Sequence, residues 1–332
     1  MQESVLIIGA GNGLSASLAR LCTSKGMKVI LAARNIPHVC IGRVSHKCHS
    51  GDKRRCLLGQ DCASFDSTDL SLQYFFRDLN IRDVYFYAAH QASAENRIAN
   101  AADAIECFRV NYHLFNKVLT LLLQETHPRS VFYANSSKIF EGSDQKVVAE
   151  SAQSVPRTAY AESKAMVREF IDSVKNQLPF RIYNGILFNH ESIHRKPDFF
   201  TSKVISQAIE VSLGTRKFVE IKSMNGEVDM SLAEDFCESI VRLNQSAAPS
   251  GDYVFASGRT ISLRKFMRLV FKRLGVPGFP VDETSEAREE GGSGVIVGNN
   301  KKICRAVNFK VRTPEELVTM QVDQRLAHGS WG

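Results

Sequence analysis

No run of apolar residues in this 332-residue chain approaches the length that a membrane-spanning helix needs, so no membrane partner is expected. The first apolar stretch, Val5-Leu6-Ile7-Ile8, is too short for the core of a secretory signal and runs straight into glycines. A cytoplasmic location follows as the expectation. The eight cysteines are scattered without a disulfide framework, which fits reduced thiols in a reducing compartment. There are no internal repeats. The formal net charge is +7, yet the basic residues form no stripe: Lys53-Arg54-Arg55, Arg216-Lys217, Arg264-Lys265 and Lys301-Lys302 lie far apart. That argues against a nucleic-acid partner and leaves a solvated basic surface or an anionic small molecule.

What remains is an ordinary globular composition, 44% hydrophobic and 23% charged, in a chain long enough for one large α/β domain or two modest ones. Val5-Leu6-Ile7-Ile8 enters Gly9-Ala10-Gly11-Asn12-Gly13, and Leu14 begins a segment of helical spacing. A glycine turn between a first strand and a first helix lets backbone N–H groups approach a pyrophosphate, and so opens a dinucleotide site. The next strand, Val29 to Ala33, ends in Arg34, where an acidic residue would grip the ribose hydroxyl of NAD. An arginine there suits the 2′-phosphate of NADP.

Residues 36–62 hold Cys40, His46, Cys48, His49, Cys56 and Cys62 among basic residues, at spacings that match no zinc pattern. A variable surface excursion is the expectation. Strands are expected at 84–89, 131–135 and 181–187, and a long helix at 101–125, where Ile105, Phe108, Tyr112, Phe115, Leu119 and Leu122 recur every three or four residues. This seam is longer than one sheet face needs and suggests a partner subunit. Later helices are expected at 199–213, 232–244, 262–274 and 314–327, strands at 218–221 and 253–256, and a loop at 275–298. The fold class is α/β: a Rossmann-type doubly wound parallel sheet over residues 1–180, with a smaller mixed α/β substrate lobe over 181–332 and some of its segments returning to the sheet.

The chemistry centres on Thr158-Ala159-Tyr160-Ala161-Glu162-Ser163-Lys164. Tyrosine and lysine four apart share one helix face, so an ammonium can stand beside a phenol and favour phenolate.

Together these segments resemble the extended short-chain dehydrogenase/reductases, which include nucleotide-sugar epimerases and dehydratases. Tyr183-Asn184-Gly185-Ile186-Leu187-Phe188-Asn189-His190-Glu191-Ser192 is similar to the GDP-mannose 4,6-dehydratase group in particular, supported by Phe200-Thr201-Ser202-Lys203, Ala256 to Thr260 and Pro314 to Val318. The resemblance implies Tyr160 and Lys164 as the catalytic pair, Ser136 as the residue that hydrogen-bonds the substrate hydroxyl, and Asn111 as the asparagine that helps hold the lysine through water. It implies NADP, with NAD possible, over Gly9, Gly11, Asn12, Gly13 and Leu14, with Arg34, Asp66, Ala88, Ala89 and His90 around it. A nucleotide sugar would meet Ser136, Ser137, Lys138, Asn189, Glu191, Thr201 and Lys203. A homodimer built from paired helices is implied as well, drawing on 101–125 and on Val167, Phe170, Ile171 and Val174.

Four departures stand out. Ser15 replaces the third glycine of the turn and should weaken cofactor binding without abolishing it. Val228-Asp229-Met230 stands where the group has Arg-Asp-Trp, and an expected arginine-proline pair before Val295 is absent. Above all, Lys138 occupies the place of the glutamate that removes the C5 proton. A lysine would need its pKa lowered by roughly three units, about 4 kcal/mol, to act as that base. Glu141 lies three residues on. The expectation is therefore hydride chemistry at sugar C4, leading to 4,6-dehydration or to 4-keto reduction or C4 epimerisation, with a non-catalytic NADP-binding sensor as the reading from another class.

Overall fold

The computed structural model describes residues 4–10, 13–32, 80–91, 101–125, 128–193, 195, 199–283 and 295–328. Arg34, Asp66, Gly11, Asn12 and the cysteine- and histidine-rich stretch at 36–62 lie outside them. Six strands form one parallel sheet: β1 (Ser4–Ile8), β2 (Lys28–Ala32), β3 (Ile81–Phe86), β4 (Ser130–Ser136), β5 (Arg181–Leu187) and β6 (Gly251–Phe255), in the order β6-β5-β4-β3-β1-β2. The strand order reverses between β1 and β3. In a sheet of this kind, ligands bind at the carboxyl ends of the strands beside that reversal.

Alternation along β1 explains why the sheet is covered on both faces. Leu6 and Ile8 belong to one core with Val110, Leu114, Phe115 and Val118, whereas Val5 and Ile7 belong to the other with Leu14, Leu18, Phe236 and Ile240. The first core rests on α3 (Leu114–Glu125), which follows α2 (Ala101–Phe108), and on α4 (Ala159–Val174); the second on α1 (Gly13–Ser24) and, from beyond residue 200, α6 (Ala233–Gln245). The expected single helix at 101–125 is a rod interrupted by a π-turn at Arg109–His113. Its apolar seam divides accordingly: Phe115, Leu119 and Leu122 are core, while Ile105 is 66% exposed.

The remaining residues build a third core from Val204, Ile205 and Ile209 on α5 (Phe200–Ser212), Phe266, Met267 and Val270 on α7 (Leu263–Leu274), and Leu317, Val318 and Val322 on the C-terminal helix Pro314–His328. The later helices expected from periodicity all form within two residues of their expected ends. Periodicity missed the helix Lys301–Val307, designated α8, so the C-terminal helix is α9. It also missed short strands at Asn189–Glu191, Glu227–Leu232 and Thr260–Ser262, which pair with one another into a small sheet beside the main one. Two of these strands have three residues each, too few alternations to register as a period.

Candidate functional site

The ends of β1, β3, β4 and β5 converge on the strand reversal. At the end of β1, Gly9 adopts φ +86°, and a Cβ there would lie 2.2 Å from the Ala88 nitrogen. Only glycine allows the turn to press against the strand end that carries Ala88, Ala89 and His90. Ser15, fully buried on α1, donates its hydroxyl to the Gly9 carbonyl at 3.2 Å, so serine fits the third-glycine position by closing the turn from inside. α1 starts at Gly13 with no acidic residue in its first turn. The described part of the cradle thus has the backbone shape and the uncharged helix start that a pyrophosphate needs.

On α4, Thr158 caps the helix by accepting from the Ala161 amide at 3.2 Å, which puts Tyr160 in the first turn and Lys164 one turn further on. Lys164 is 1% exposed; it donates to the Ala134 carbonyl at 2.7 Å and its Nζ lies 5.9 Å from the centre of the Tyr160 ring. Burial lowers its pKa from 10.5 to about 7, opposed by the nearby Cys107. The Tyr160 phenol is pushed up by burial, with a hydrogen bond to Ser136 pulling down and Cys107 pushing up. For both groups the largest cause is desolvation, which works against the charged form.

Asn111 sits inside the π-turn, fully buried. Its amide accepts from the His90 N–H at 2.8 Å and donates to the His90 carbonyl at 3.1 Å and to Ser163 Oγ at 2.9 Å. Tyr133 donates to the Asn111 carbonyl at 2.8 Å, satisfying an acceptor in the widened turn. The asparagine therefore clamps the end of β3 to α4. Cys107, one turn earlier, donates its thiol to the same His90 carbonyl at 3.5 Å, and helical spacing from Asn111 could have singled it out.

On the substrate side, Ser136 accepts from the Lys138 amide at 3.3 Å and Ser137 begins a short 3-10 turn. The Lys138 ammonium is exposed and paired with Glu141 at 2.7 Å; the second Glu141 oxygen is buried with no partner among the described residues. Asn189 is exposed and Lys203 half-buried, so both remain accessible. Glu191 and Thr201 are not. Glu191 is fully buried, accepts from Thr201 and the Ser192 amide, and pairs with Arg325 of α9 at 3.5 Å. These two expected substrate contacts are thus internal bonds that fasten α9 to the lobe. Asp229, in the altered Arg-Asp-Trp segment, is likewise internal, accepting from Ser257 N and Oγ at 2.7 Å, Gly258 N at 3.2 Å and Gly298 N at 3.1 Å. Among the described residues no cluster of His, Cys, Asp or Glu could hold a metal ion.

A family model described as GDP-mannose 4,6 dehydratase matches residues 8–330. A GDP-mannose 4,6-dehydratase from Sinorhizobium fredii (strain HH103) is 27% identical over 323 residues, covering 95% of this chain and 87% of that protein. Another, from Sordaria araneosa, is 28% identical over 214 residues, which is 64% of this chain but only 38% of that protein. Among solved structures, RMD from Pseudomonas aeruginosa complexed with NADPH superposes with a TM-score of 0.74 at 16% identity, covering 99% of this chain and all of that one. UDP-glucose 4-epimerase from Bifidobacterium longum, in complex with NAD+ and UDP, gives a TM-score of 0.74 at 18% identity, with 99% and 100% covered.

Proposed function

The chain belongs to the GDP-mannose 4,6-dehydratase family, and on that premise we propose that it is an NADP-dependent enzyme acting on a nucleotide-linked hexose by hydride transfer at sugar C4. The observation that carries this reading is Ser136, Tyr160 and Lys164 gathered at the strand reversal, with the buried lysine poised at a pKa of about 7. A nicotinamide cofactor, when bound, supplies the acceptor and donor of hydride; the relatives with NADPH or NAD+ support that class. Ser136 orients the C4 hydroxyl. Tyr160 takes its proton as the carbinol becomes a ketone, and returns it on reduction. Lys164, buried beside the phenol, stabilises the phenolate when the lysine is protonated and would hold the ribose of the cofactor. Arg34, which follows the second strand in the sequence, is the reason to favour NADP over NAD.

The full dehydratase course also needs a base at C5. Lys138 stands in that position and is engaged with Glu141, which favours 4-keto reduction or C4 epimerisation as the second reading, since neither requires elimination. Incubation of the purified protein with GDP-mannose and NADP, followed by mass spectrometry and NMR, should give a 4-keto-6-deoxy product. No product there, but turnover of a 4-keto sugar nucleotide, would replace the dehydratase reading with the second. Cofactor binding without turnover of any sugar nucleotide would point to the sensor.

We also propose a homodimer in the cytoplasm, formed through α2 and α4, where Ile105 and Met166 are exposed apolar side chains, Val167 and Ile171 of the expected face being buried in the core instead. Light scattering should return twice the 37.0 kDa chain mass. Ile105→Asp should halve that value, and a monomeric unmutated protein would refute the dimer.

A further inference from the structure

Beneath Ser136 and Lys164 lies a closed ring of side-chain hydrogen bonds that none of the expected roles uses. Asn135, 3% exposed on β4, accepts the Ser136 N–H at 2.8 Å through its amide oxygen. Its amide nitrogen donates to the Lys164 carbonyl at 3.0 Å and to Asn184 Oδ1 at 2.9 Å. All three bonds fit only one orientation of the amide, because a flip would set its oxygen against two acceptors. Asn184, fully buried on β5, passes the chain on to Asp252 Oδ1 at 2.8 Å on β6. Asp252 Oδ2 then accepts from Arg168 Nε at 2.6 Å, and Arg168 lies one turn beyond Lys164 on α4. The guanidinium is itself fixed by the Ala152 carbonyl at 2.8 Å and Ser154 Oγ at 2.9 Å.

The Lys164 carbonyl lies in mid-helix, where the backbone already offers it a donor four residues on. The asparagine bond is therefore surplus to backbone satisfaction, and its effect is lateral: it ties α4 to the strand end that presents Ser136. We propose that Asn135 is a positioning residue that sets Ser136 against the helix bearing Tyr160 and Lys164, with Asn184 fixing the orientation of its amide. This rests on the reading of Ser136, Tyr160 and Lys164 as the reacting set. Reactions of bound groups are sensitive to displacement, and about 1 Å of misplacement costs on the order of a hundredfold in rate.

The test has one arm that needs turnover and one that does not. Lysine labelled with 13C lets the Lys164 resonance, identified by its loss in Lys164→Met, be titrated by NMR. The ammonium is enclosed by Tyr133, Tyr160 and Cys107, and slack between α4 and β4 admits water to it. In Asn135→Ala the midpoint should rise from about 7 by roughly one unit towards the exposed value. The kcat should fall by about 10- to 100-fold, with KM and cofactor affinity held within about threefold. Asn184→Ala should move both readings in the same direction, and the double variant should do no more than Asn135→Ala alone, as expected of links in one chain. If Asn135→Ala does not fold, Asn135→Thr keeps a hydroxyl in the gap and should show the same direction. A lower melting temperature with the Lys164 midpoint and kcat unmoved would overturn the proposal and leave Asn135 as packing. If the unmutated protein turns over no sugar nucleotide, the functional reading fails and the catalytic part of the proposal with it, while a shifted Lys164 midpoint still shows that Asn135 ties α4 to β4.

Discussion

Replacing Lys164 with methionine should stabilise the protein in mild acid while abolishing turnover. The lysine is 1% exposed, and burial lowers its pKa from 10.5 to about 7. Between those values the unfolded chain holds a proton that the folded chain has released, so stability rises with pH through that window. Linkage between the two values puts the cost of burying this group at roughly 5 kcal/mol at pH 6 and roughly 2 kcal/mol at pH 9. Methionine has similar reach and no proton, so it removes the cost at both pH values. The Ala134 carbonyl loses its lysine donor, a penalty of about 1–3 kcal/mol, but that change and the added apolar burial do not depend on pH. They cancel when the two conditions are compared. Urea unfolding of both proteins at pH 6 and pH 9 should therefore show the stability gap between variant and parent shrinking by roughly 3 kcal/mol on going to the higher pH. A gap constant to within about 0.5 kcal/mol would refute the argument, because Lys164 would then titrate alike in the folded and unfolded chains.

Tyr160→Phe keeps the ring and removes the proton carrier; turnover should drop by about a thousandfold with cofactor affinity changed only a few-fold, and a variant that retains its rate would dismiss Tyr160 as the acid/base. Gly9→Ala puts a methyl group 2.2 Å from the Ala88 nitrogen at φ +86°, and thermal unfolding should report a loss of about 3 kcal/mol or more together with lost cofactor binding. Glu191→Gln strips the charge partner from the buried Arg325, and denaturant titration should show about 3–5 kcal/mol of destabilisation, with Glu191→Met/Arg325→Met losing less than the single change. If Glu191→Gln keeps its stability but loses substrate affinity, Glu191 faces the substrate after all.

Much of the fold is legible in the pattern of residues along the chain. The six-stranded parallel sheet and the helices at 200–212, 233–245, 263–274 and 314–328 come from apolar runs and three-four spacings long enough to count. The Tyr160/Lys164 pair is legible because four-residue spacing on a helix guarantees a shared face. Glu191 and Thr201 are misplaced by pattern for the opposite reason. A polar residue in a three-residue strand or at a helix start gives no sign of whether water or Arg325 will face it. Asn135 passes as the last residue of an apolar strand, although an inward polar side chain in such a run is itself a signal.

Local order belongs to the sequence alone: where strands and helices run, and that Tyr160 and Lys164 share a helical turn. Each depends on residues within a few positions of one another, and short-range sterics and periodicity suffice. Tertiary structure decided how deeply Lys164 and Tyr160 are buried, that Asn111 clamps His90, and that Asn135 reaches Asn184, Asp252 and back to Arg168. Those outcomes depend on burial and on contacts between residues 21 to 84 positions apart, which local pattern does not encode.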